Sequence, residues 1–166
     1  MENANYLNRP GIRPSILFVC TANMCRSPMA EGLFKAHIKK NIANWQSWRV
    51  ESVGTWTKEG RPAVANTVKV IAERGIDISD HKTRPITHLP LSRFRLILTM
   101  EAGHKEAIQI EFPDIASRTY MLSEMIDRKM NIKDPIGKPV EEFEKTAKVI
   151  EMILEKGFDR ILSLIM

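Results

Sequence analysis

The feature that most constrains this chain is an apolar run that leads straight into a cysteine, with an arginine shortly after it. The apolar residues are 16–19, followed by Cys20 and then by Arg26, Ser27 and Pro28. A short, continuous apolar run is typical of a strand that is buried on both faces of a parallel sheet. Proline is favoured in the first turn of a helix. The sequence therefore predicts a buried strand, a tight loop and a helix in direct succession.

The spacing Cys20-x5-Arg26 suits a reaction in which a thiolate attacks a phosphate ester. A loop of this length lets the backbone wrap around a tetrahedral anion as a nest of N–H groups. Arg26 can donate two parallel hydrogen bonds to the anion, and the helix N-terminus behind the loop favours both the thiolate and the phosphate. The predicted phosphate-binding residues are Thr21, Ala22, Asn23, Met24, Cys25 and Arg26. In the alternative interpretation, Cys20 is a buried thiol at the end of a strand.

Composition narrows the class of protein. The chain has 166 residues, a net charge of +5 and two cysteines. That length fits one domain, which we place at residues 15–166, after a flexible leader over residues 1–14 that lacks the apolar core of a signal peptide. The basic residues are scattered, and no apolar run is long enough to cross a membrane, so we expect no nucleic-acid partner and no membrane partner. Two cysteines without a disulfide framework favour the cytoplasm.

Strand-like and helix-like segments alternate along the chain, which indicates an α/β fold. The predicted architecture has three layers, α/β/α, around a central four-stranded parallel sheet in the flavodoxin-like order 2-1-3-4. The predicted strands are 16–19, 48–53, 96–98 and 119–122. The predicted helices are 28–42, 62–74 and 101–110, with one long amphipathic helix from about 143 to 161. Pro62 is expected to begin the second helix, and its core-facing residues are expected to be Val64, Val68, Ile71 and Ala72.

A phosphate ester that is attacked by a thiolate loses its alcohol as an oxyanion, which requires a general acid. The candidate is Asp134, in a loop that Pro135 stiffens and that Gly137 allows to turn tightly. The same carboxylate would later accept a proton from the water that hydrolyses the phosphocysteine. In the alternative interpretation, Asp134 marks a turn or caps the final helix.

Beyond these features, the chain from about residue 15 onward resembles the low-molecular-weight protein tyrosine phosphatase family, as a bacterial-type member. The resemblance rests on residues 19–28, Ala30-Glu31, 52–55, 75–79 with His81 and Arg84, 96–100, and 134–135. It implies that Cys20 is the nucleophile, Arg26 the clamp of the transition state and Asp134 the general acid.

The resemblance also implies a set of supporting residues. Ser27 would hydrogen-bond the thiolate of the nucleophile and help to release it from the phospho-intermediate. Asn23 would hold a left-handed loop conformation, which asparagine tolerates, braced by Ser52 and His81. Cys25 is similar to a second loop cysteine that forms a disulfide with the nucleophile under oxidation, and packing is its alternative role.

Departures from the family pattern bear on activity and substrate. Ala22 replaces the usual loop glycine and would strain the loop if that position required a positive φ. Ile136 follows Asp-Pro where eukaryotic members carry tyrosines that stack on a phosphotyrosine ring. Trp56 would supply an aromatic wall or else be a core residue. Met24 is similar to the aliphatic residue of the tyrosine-specific members, whereas protein-arginine phosphatases favour threonine at that position.

The resulting hypothesis is a phosphatase that hydrolyses phosphotyrosine and other aryl phosphate monoesters through a phosphocysteine intermediate. Its substrates would be phosphorylated proteins or small aryl phosphates, and phosphate or sulfate would bind in the loop. A protein-arginine phosphatase is the alternative. An arsenate reductase is disfavoured because no resolving cysteine follows Cys25, and a non-catalytic phosphate-binding module is disfavoured by the complete set of catalytic candidates. We expect no cofactor and no metal, since the four histidines lack metal-ligand spacing.

Overall fold

Four parallel strands form the centre of the structure. They are β1 (Ser15–Cys20), β2 (Arg49–Gly54), β3 (Leu96–Thr99) and β4 (Thr119–Met121). Their order in the sheet is β2-β1-β3-β4, which confirms the predicted order. The computed structural model describes residues 13–166, so nearly all of the predicted leader, residues 1–14, lies outside the described residues.

Helices cover both faces of this sheet, as a three-layer fold requires. They are α1 (Arg26–Asn41), α2 (Ala65–Ala72), α3 (Ala102–Glu111), α4 (Val140–Lys156) and α5 (Phe158–Ile165). Side chains alternate along β1, so Ile16 and Phe18 pack with α1, α2, α4 and α5, while Leu17 and Val19 pack on the α3 side with Ile108. All residues of β1 are buried, which explains its continuous apolar run. None of the helices between residues 13 and 166 combines the length and the apolar character that crossing a bilayer requires.

The second helix starts later than the sequence predicts. Pro62 lies before the helix, because the backbone N–H of Val64 donates a hydrogen bond of 3.0 Å to the carbonyl oxygen of Met24 and Val64 stays extended. The segment before α2 is therefore attached to the loop that follows β1. The buried residues of α2 are Thr67, Val70 and Ile71. The prediction that Ala72 faces the core is wrong, since Ala72 is exposed.

The predicted single C-terminal helix is also wrong, because the chain forms α4 and α5 with a break at Gly157. The backbone of Gly157 leaves the helical region, with φ −89° and ψ 4°. A Cβ atom at this position would lie 2.7 Å from Cβ of Met125 and 2.8 Å from the carbonyl oxygen of Ile153. The close approach of Met125 thus requires glycine at the break. Ile161 still reaches the core, in agreement with its place in the apolar pattern.

The carboxyl ends of β1 and β3 lie side by side, and this positions the candidate site. Val19 is paired with Thr99, and the N–H of Met100 donates to the carbonyl oxygen of Val19 at 3.0 Å. The N–H of Ile132 in turn donates to the carbonyl oxygen of Met100 at 2.9 Å. This ladder brings the segment before Asp134 to the same sheet edge as the loop after β1.

Candidate active site

The loop between β1 and α1 joins a buried cysteine to a helix N-terminus. Cys20 is 2% exposed, and its Sγ lies 3.0 Å from Oγ of Ser27 in the first turn of α1. The unpaired N–H groups at the start of α1 carry partial positive charge, which favours an anion in this loop. Folding therefore places the predicted nucleophile where a thiolate and a phosphate are both stabilised.

Asn23 holds the turn of this loop. Its φ is 57°, in the left-handed region that asparagine tolerates, and its side chain is fully buried. Its Nδ2 donates to Oγ of Ser27 at 2.8 Å and to Oγ of Ser52 at 2.9 Å, and its Oδ1 accepts from the N–H of Arg84 at 3.0 Å. The backbone oxygen of Asn23 lies 2.7 Å from Nε2 of His81. Four hydrogen bonds thus secure one strained residue.

The direction of these hydrogen bonds follows from their donors. Oγ of Ser52 donates to the Glu31 carboxylate at 2.5 Å, so it accepts from the amide of Asn23. Oγ of Ser27 likewise accepts from Asn23, and its own hydrogen has two acceptors within reach, Sγ of Cys20 at 3.0 Å and, at a longer 3.4 Å, the carbonyl oxygen of Val53. Ser27 is therefore oriented to stabilise the ionised form of the Cys20 thiol.

Ala22 does not introduce the strain that a missing glycine would cause. Within residues 13–166, the non-glycine residues with positive φ are Asn23 and Asp127, so the backbone of Ala22 is in a region open to alanine. The close approach in this loop occurs instead at Gly54, where a Cβ atom would lie 2.6 Å from the carbonyl oxygen of Thr21. Glycine is required on the neighbouring strand and not at position 22.

Arg26 is held from three sides. It is 1% exposed; its Nη1 donates to the carbonyl oxygen of Ile132 at 2.7 Å and lies 3.3 Å from Oε2 of Glu101. Its Nη2 lies 3.4 Å from Oδ2 of Asp134. Nε of Arg26 is buried and has no hydrogen-bond partner among residues 13–166, so it is a donor available to an anion in the loop. The two predicted partners of the thiolate, Arg26 and Asp134, are thus in contact.

The structure adds two residues that the sequence analysis missed, Glu101 and His104. Nε2 of His104 lies 2.9 Å from Oγ1 of Thr21 and 3.3 Å from Oε2 of Glu101. The ring of His104 thus lies between the loop and the carboxylate that contacts Arg26. The signal was present in the sequence, since both residues follow β3 at the sheet edge where Cys20 ends β1.

His104 is kept neutral by its surroundings. Burial lowers the pKa of its ring below the ordinary value of 6.5, and the nearby charge of Arg26 lowers it further, against an opposing effect of Glu101. A neutral ring beside Arg26 adds no positive charge that would repel the guanidinium. The neutral ring of His104 therefore lies between Thr21, to which it is hydrogen-bonded, and the Glu101 carboxylate.

Asp134 lies at the mouth of the site and does not cap the final helix. Its side chain is 34% exposed, its Oδ1 accepts from the N–H of Ile136 at 3.1 Å, and the N-cap of α4 is Pro139. Gly137 turns with a φ of 74°. The carboxyl group is therefore held by a local turn and by Arg26, with one face open to solvent.

The three predicted substrate-facing residues have different environments. Trp56 is 84% exposed, which excludes the alternative of a core tryptophan. Its backbone N–H donates to the carbonyl oxygen of Thr21 at 3.0 Å. Ile136, next to Asp134 in sequence, is 47% exposed. Met24 is half-buried and packs against the main core. Two large apolar side chains thus stand exposed on the segments that flank the loop, and Met24 lies within it.

Cys25 differs from Cys20 in its chemistry. Burial raises the pKa of its thiol to about 12, although a hydrogen bond to Thr67 has the opposite effect, so this group stays protonated at neutral pH. Both cysteines are free thiols in the structure. The loop therefore contains the predicted nucleophile, Cys20, and a second cysteine, Cys25, that packs as a neutral side chain.

Comparison with known proteins identifies the class to which this fold and site belong. Residues 15–162 match the family model described as low molecular weight phosphotyrosine protein phosphatase. The chain belongs to this family, whose members are cysteine-based phosphatases.

Individual relatives agree with this assignment. A protein of Ralstonia nicotianae described as a probable low molecular weight protein-tyrosine-phosphatase is 34% identical, over 90% of this chain and 97% of the relative. A protein-arginine-phosphatase of Geobacillus stearothermophilus is 30% identical, over 88% of this chain and 95% of its own length. Among solved structures, the low molecular weight protein tyrosine phosphatase from T. tengcongensis is 36% identical, with a TM-score of 0.80 over 88% of this chain and 98% of that one.

Proposed function

We propose that this protein hydrolyses phosphotyrosine and other aryl phosphate monoesters through a phosphocysteine formed on Cys20. The observation that carries the proposal is the hydrogen-bond chain in which Asn23 orients Ser27 toward Sγ of Cys20, at the N-terminus of α1. A hydrogen bond from Ser27 would stabilise negative charge on the sulfur, which a nucleophilic thiolate carries.

In the first step, the phosphate group of the substrate lies in the loop of residues 20–26. The backbone N–H groups of the loop and Nε of Arg26 bind its oxygens. The Cys20 thiolate attacks phosphorus, a sulfur–phosphorus bond forms and the bond to the leaving oxygen breaks. Asp134, in its acid form, gives its proton to that oxygen.

In the second step, the carboxylate of Asp134 accepts a proton from a water molecule that attacks the phosphocysteine. The sulfur–phosphorus bond breaks, phosphate leaves and Cys20 returns as a thiolate. The hydrogen bond from Ser27 favours this departure because it stabilises the sulfur as charge returns to it. Both steps need no group beyond water and the side chains at the site.

The preference for an aryl substrate follows from the exposed Trp56 and Ile136 and from the apolar side chain of Met24. Aromatic and aliphatic walls stabilise a phenyl ring by contact and burial. The second candidate is phosphoarginine, which the relative from Geobacillus stearothermophilus favours. Met24 argues for the aryl substrate, because it is similar to the aliphatic residue of tyrosine-specific members, whereas protein-arginine phosphatases favour threonine at this position.

The first test is phosphate release from p-nitrophenyl phosphate at mildly acidic pH, by wild type and by Cys20→Ser. We expect turnover in wild type and none in the variant. The control for folding is the melting temperature of Cys20→Ser, which orthophosphate should still raise because the loop and Arg26 remain. Turnover by Cys20→Ser, or none by wild type on aryl phosphate or phosphoarginine, would contradict the proposal.

The substrate class is tested with a phosphotyrosine peptide and a phosphoarginine peptide of otherwise identical sequence. We expect wild type to have the larger kcat/KM for phosphotyrosine, and Met24→Thr to shift the ratio toward phosphoarginine. A wild-type preference for phosphoarginine would overturn the aryl assignment while leaving the thiolate mechanism intact.

The proposal places the enzyme in the cytoplasm, where a catalytic thiol stays reduced.

A further inference from the structure

A second concave site lies at the opposite edge of the sheet, where β1 and β2 begin. It is a cavity of about 680 Å³, within the range of small-ligand pockets. We call it the arginine cavity, because no acidic residue lines it among the described residues and five arginines do. They are Arg13, Arg49, Arg93, Arg95 and Arg118.

The positive charge of this cavity is largely uncompensated. Arg13 donates to the carbonyl oxygen of Ser47 at 2.6 Å, Arg95 to that of Ile165 at 3.1 Å and Arg118 to that of Ser92 at 3.3 Å. Carbonyl groups orient a guanidinium but carry no net charge to neutralise it.

Arg49 is the member of the five that has a carboxylate partner among residues 13–166. Its Nε lies 2.6 Å from Oε1 of Glu51, and its guanidinium also stacks 4.4 Å from the ring centre of Phe94. Gathering five like charges when four of them lack a carboxylate partner in this part of the chain costs free energy, which a bound anion would recover.

Two of the arginines, Arg118 and Arg93, differ from the others in how their side chains are placed. Nε of Arg118 is buried and has no hydrogen-bond partner within the described chain, a costly state for a charged donor. The side chain of Arg93 is exposed at the rim. Arg118 therefore has an unpaired donor beside the cavity, and Arg93 has an exposed cation on its lining.

We propose that the arginine cavity binds an anion that carries a short chain of phosphate groups. Guanidinium groups match phosphate oxygens in pairs, and each arginine offers up to five donors in a plane. One phosphate group is too small to contact all five arginines across this volume, whereas a chain of two or three phosphates presents several charges at once. The lining residues are arginines without a lysine, which favours paired, planar contacts over point charges.

The arginine cavity is distinct from the catalytic loop. Ser15, at the start of β1, lines the cavity, and Cys20 ends the same strand. A strand rises by about 3.3 Å per residue, so the two sites lie roughly 17 Å apart. The larger cavity of about 1250 Å³ beside α1 mixes lysines with carboxylates along its wall, so it lacks this concentration of one sign.

The proposal is tested by calorimetric titration with inorganic triphosphate, in the presence of enough orthophosphate to fill the catalytic loop. We expect wild type to bind one equivalent. Arg93→Gln/Arg118→Gln should lose about tenfold or more in affinity, because each lost charged donor contributes a charge-assisted hydrogen bond. The matched control is Arg128→Gln/Lys129→Gln, which removes the same charge from an exposed loop elsewhere and should bind like wild type.

A parallel titration with ATP separates two sources of the same phosphate chain. Similar affinities for ATP and triphosphate would show that the chain alone is recognised, and binding of triphosphate alone would restrict the ligand to an inorganic chain; both support the proposal. No binding by wild type, or an equal loss in both double variants, would overturn it.

Hydrolysis of p-nitrophenyl phosphate by Arg93→Gln/Arg118→Gln should be unchanged, so this test and that of catalysis fail independently. Arg93→Gln alone, at the exposed rim, covers the case in which the double variant does not fold.

Discussion

At the scale of single residues, Asn23 combines a strained backbone with the hydrogen bonds that orient Ser27. We expect Asn23→Ala to lower kcat/KM about ten- to a hundredfold, because buried hydrogen bonds of roughly 1–3 kcal/mol are lost. The same change places alanine in the left-handed region, at a further cost of about 1 kcal/mol. Steady-state kinetics and the affinity for orthophosphate measure the effect.

Asp127 offers a matched control for this substitution. Its φ is also 57°, but it is exposed and lies outside the site. Asp127→Ala should lower the melting temperature through the same backbone strain and through loss of the ion pair with Arg160, and it should leave the affinity for orthophosphate unchanged. If both variants lost affinity alike, the contribution of Asn23 would be to general stability and not to the loop.

The proposed role of Asp134 as general acid has a separate kinetic signature, because a general acid matters most when the leaving group is poor. We expect Asp134→Asn to slow the hydrolysis of phenyl phosphate more than that of p-nitrophenyl phosphate, by a factor of about ten or more, within the range for acid–base catalysis. The comparison of kcat for a series of aryl phosphates measures this. An equal loss across the series would remove Asp134 as the acid and leave it as a partner of Arg26.

At the scale of secondary-structure elements, the glycine at position 157, between α4 and α5, is required by packing and not by helix propensity. Alanine is the better helix former, yet a Cβ atom here would meet Met125 at 2.7 Å. We expect Gly157→Ala to lower the free energy of unfolding by about 1–3 kcal/mol, the usual cost of overpacking. Gly103→Ala in α3, where a Cβ would meet nothing within 4 Å, should instead stabilise by up to about 1 kcal/mol. Urea denaturation of both variants checks the opposite signs.

These elements also show what a sequence can predict. The strands and the loop of Cys20 and Arg26 were predictable, because each depends on residues that are near neighbours in the chain. The break at Gly157 was not, since its cause is Met125, far away in sequence. Glu101 and His104 were missed although the predicted order already placed β3 beside β1. Their contacts with Arg26 and Thr21 depend on how these side chains are oriented at the sheet edge, which no local pattern expresses.

At the scale of the whole molecule, two histidines make stability depend on pH. Burial lowers the pKa of His104 and of His37, whose ring packs edge-on against Phe158. Below their ordinary value of 6.5, the unfolded chain takes up protons before the folded chain does. The free energy of unfolding should therefore fall as pH decreases from about 7 to 5, by at most about 1.4 kcal/mol per pH unit for each histidine.

Urea denaturation at pH 7.5, 6.5 and 5.5 measures this slope. His104→Gln should flatten it more than His37→Gln, because the ring of His37 is partly exposed and its charge is better solvated. The carboxylate of Glu51 acts in a lower window: burial would raise its pKa, but bonds and charges from Arg49 and Arg84 lower it below 4.5. Its contribution is thus lost only in more acidic solution, and a flat profile above pH 5.5 would contradict the assignment to the histidines.

The contacts that Ile132, Glu101 and Asp134 make with Arg26 have a consequence for how the protein is purified and assayed. Because folding alone completes the anion site, an incoming oxyanion has no side chain to order, and little of its binding free energy is lost to immobilisation. We therefore expect phosphate or sulfate carried over from purification to occupy the proposed site, which would raise the melting temperature by mass action and slow the initial rate. The same preparation should therefore show a higher melting temperature and a lower initial rate in phosphate or sulfate buffer than in a buffer without these anions.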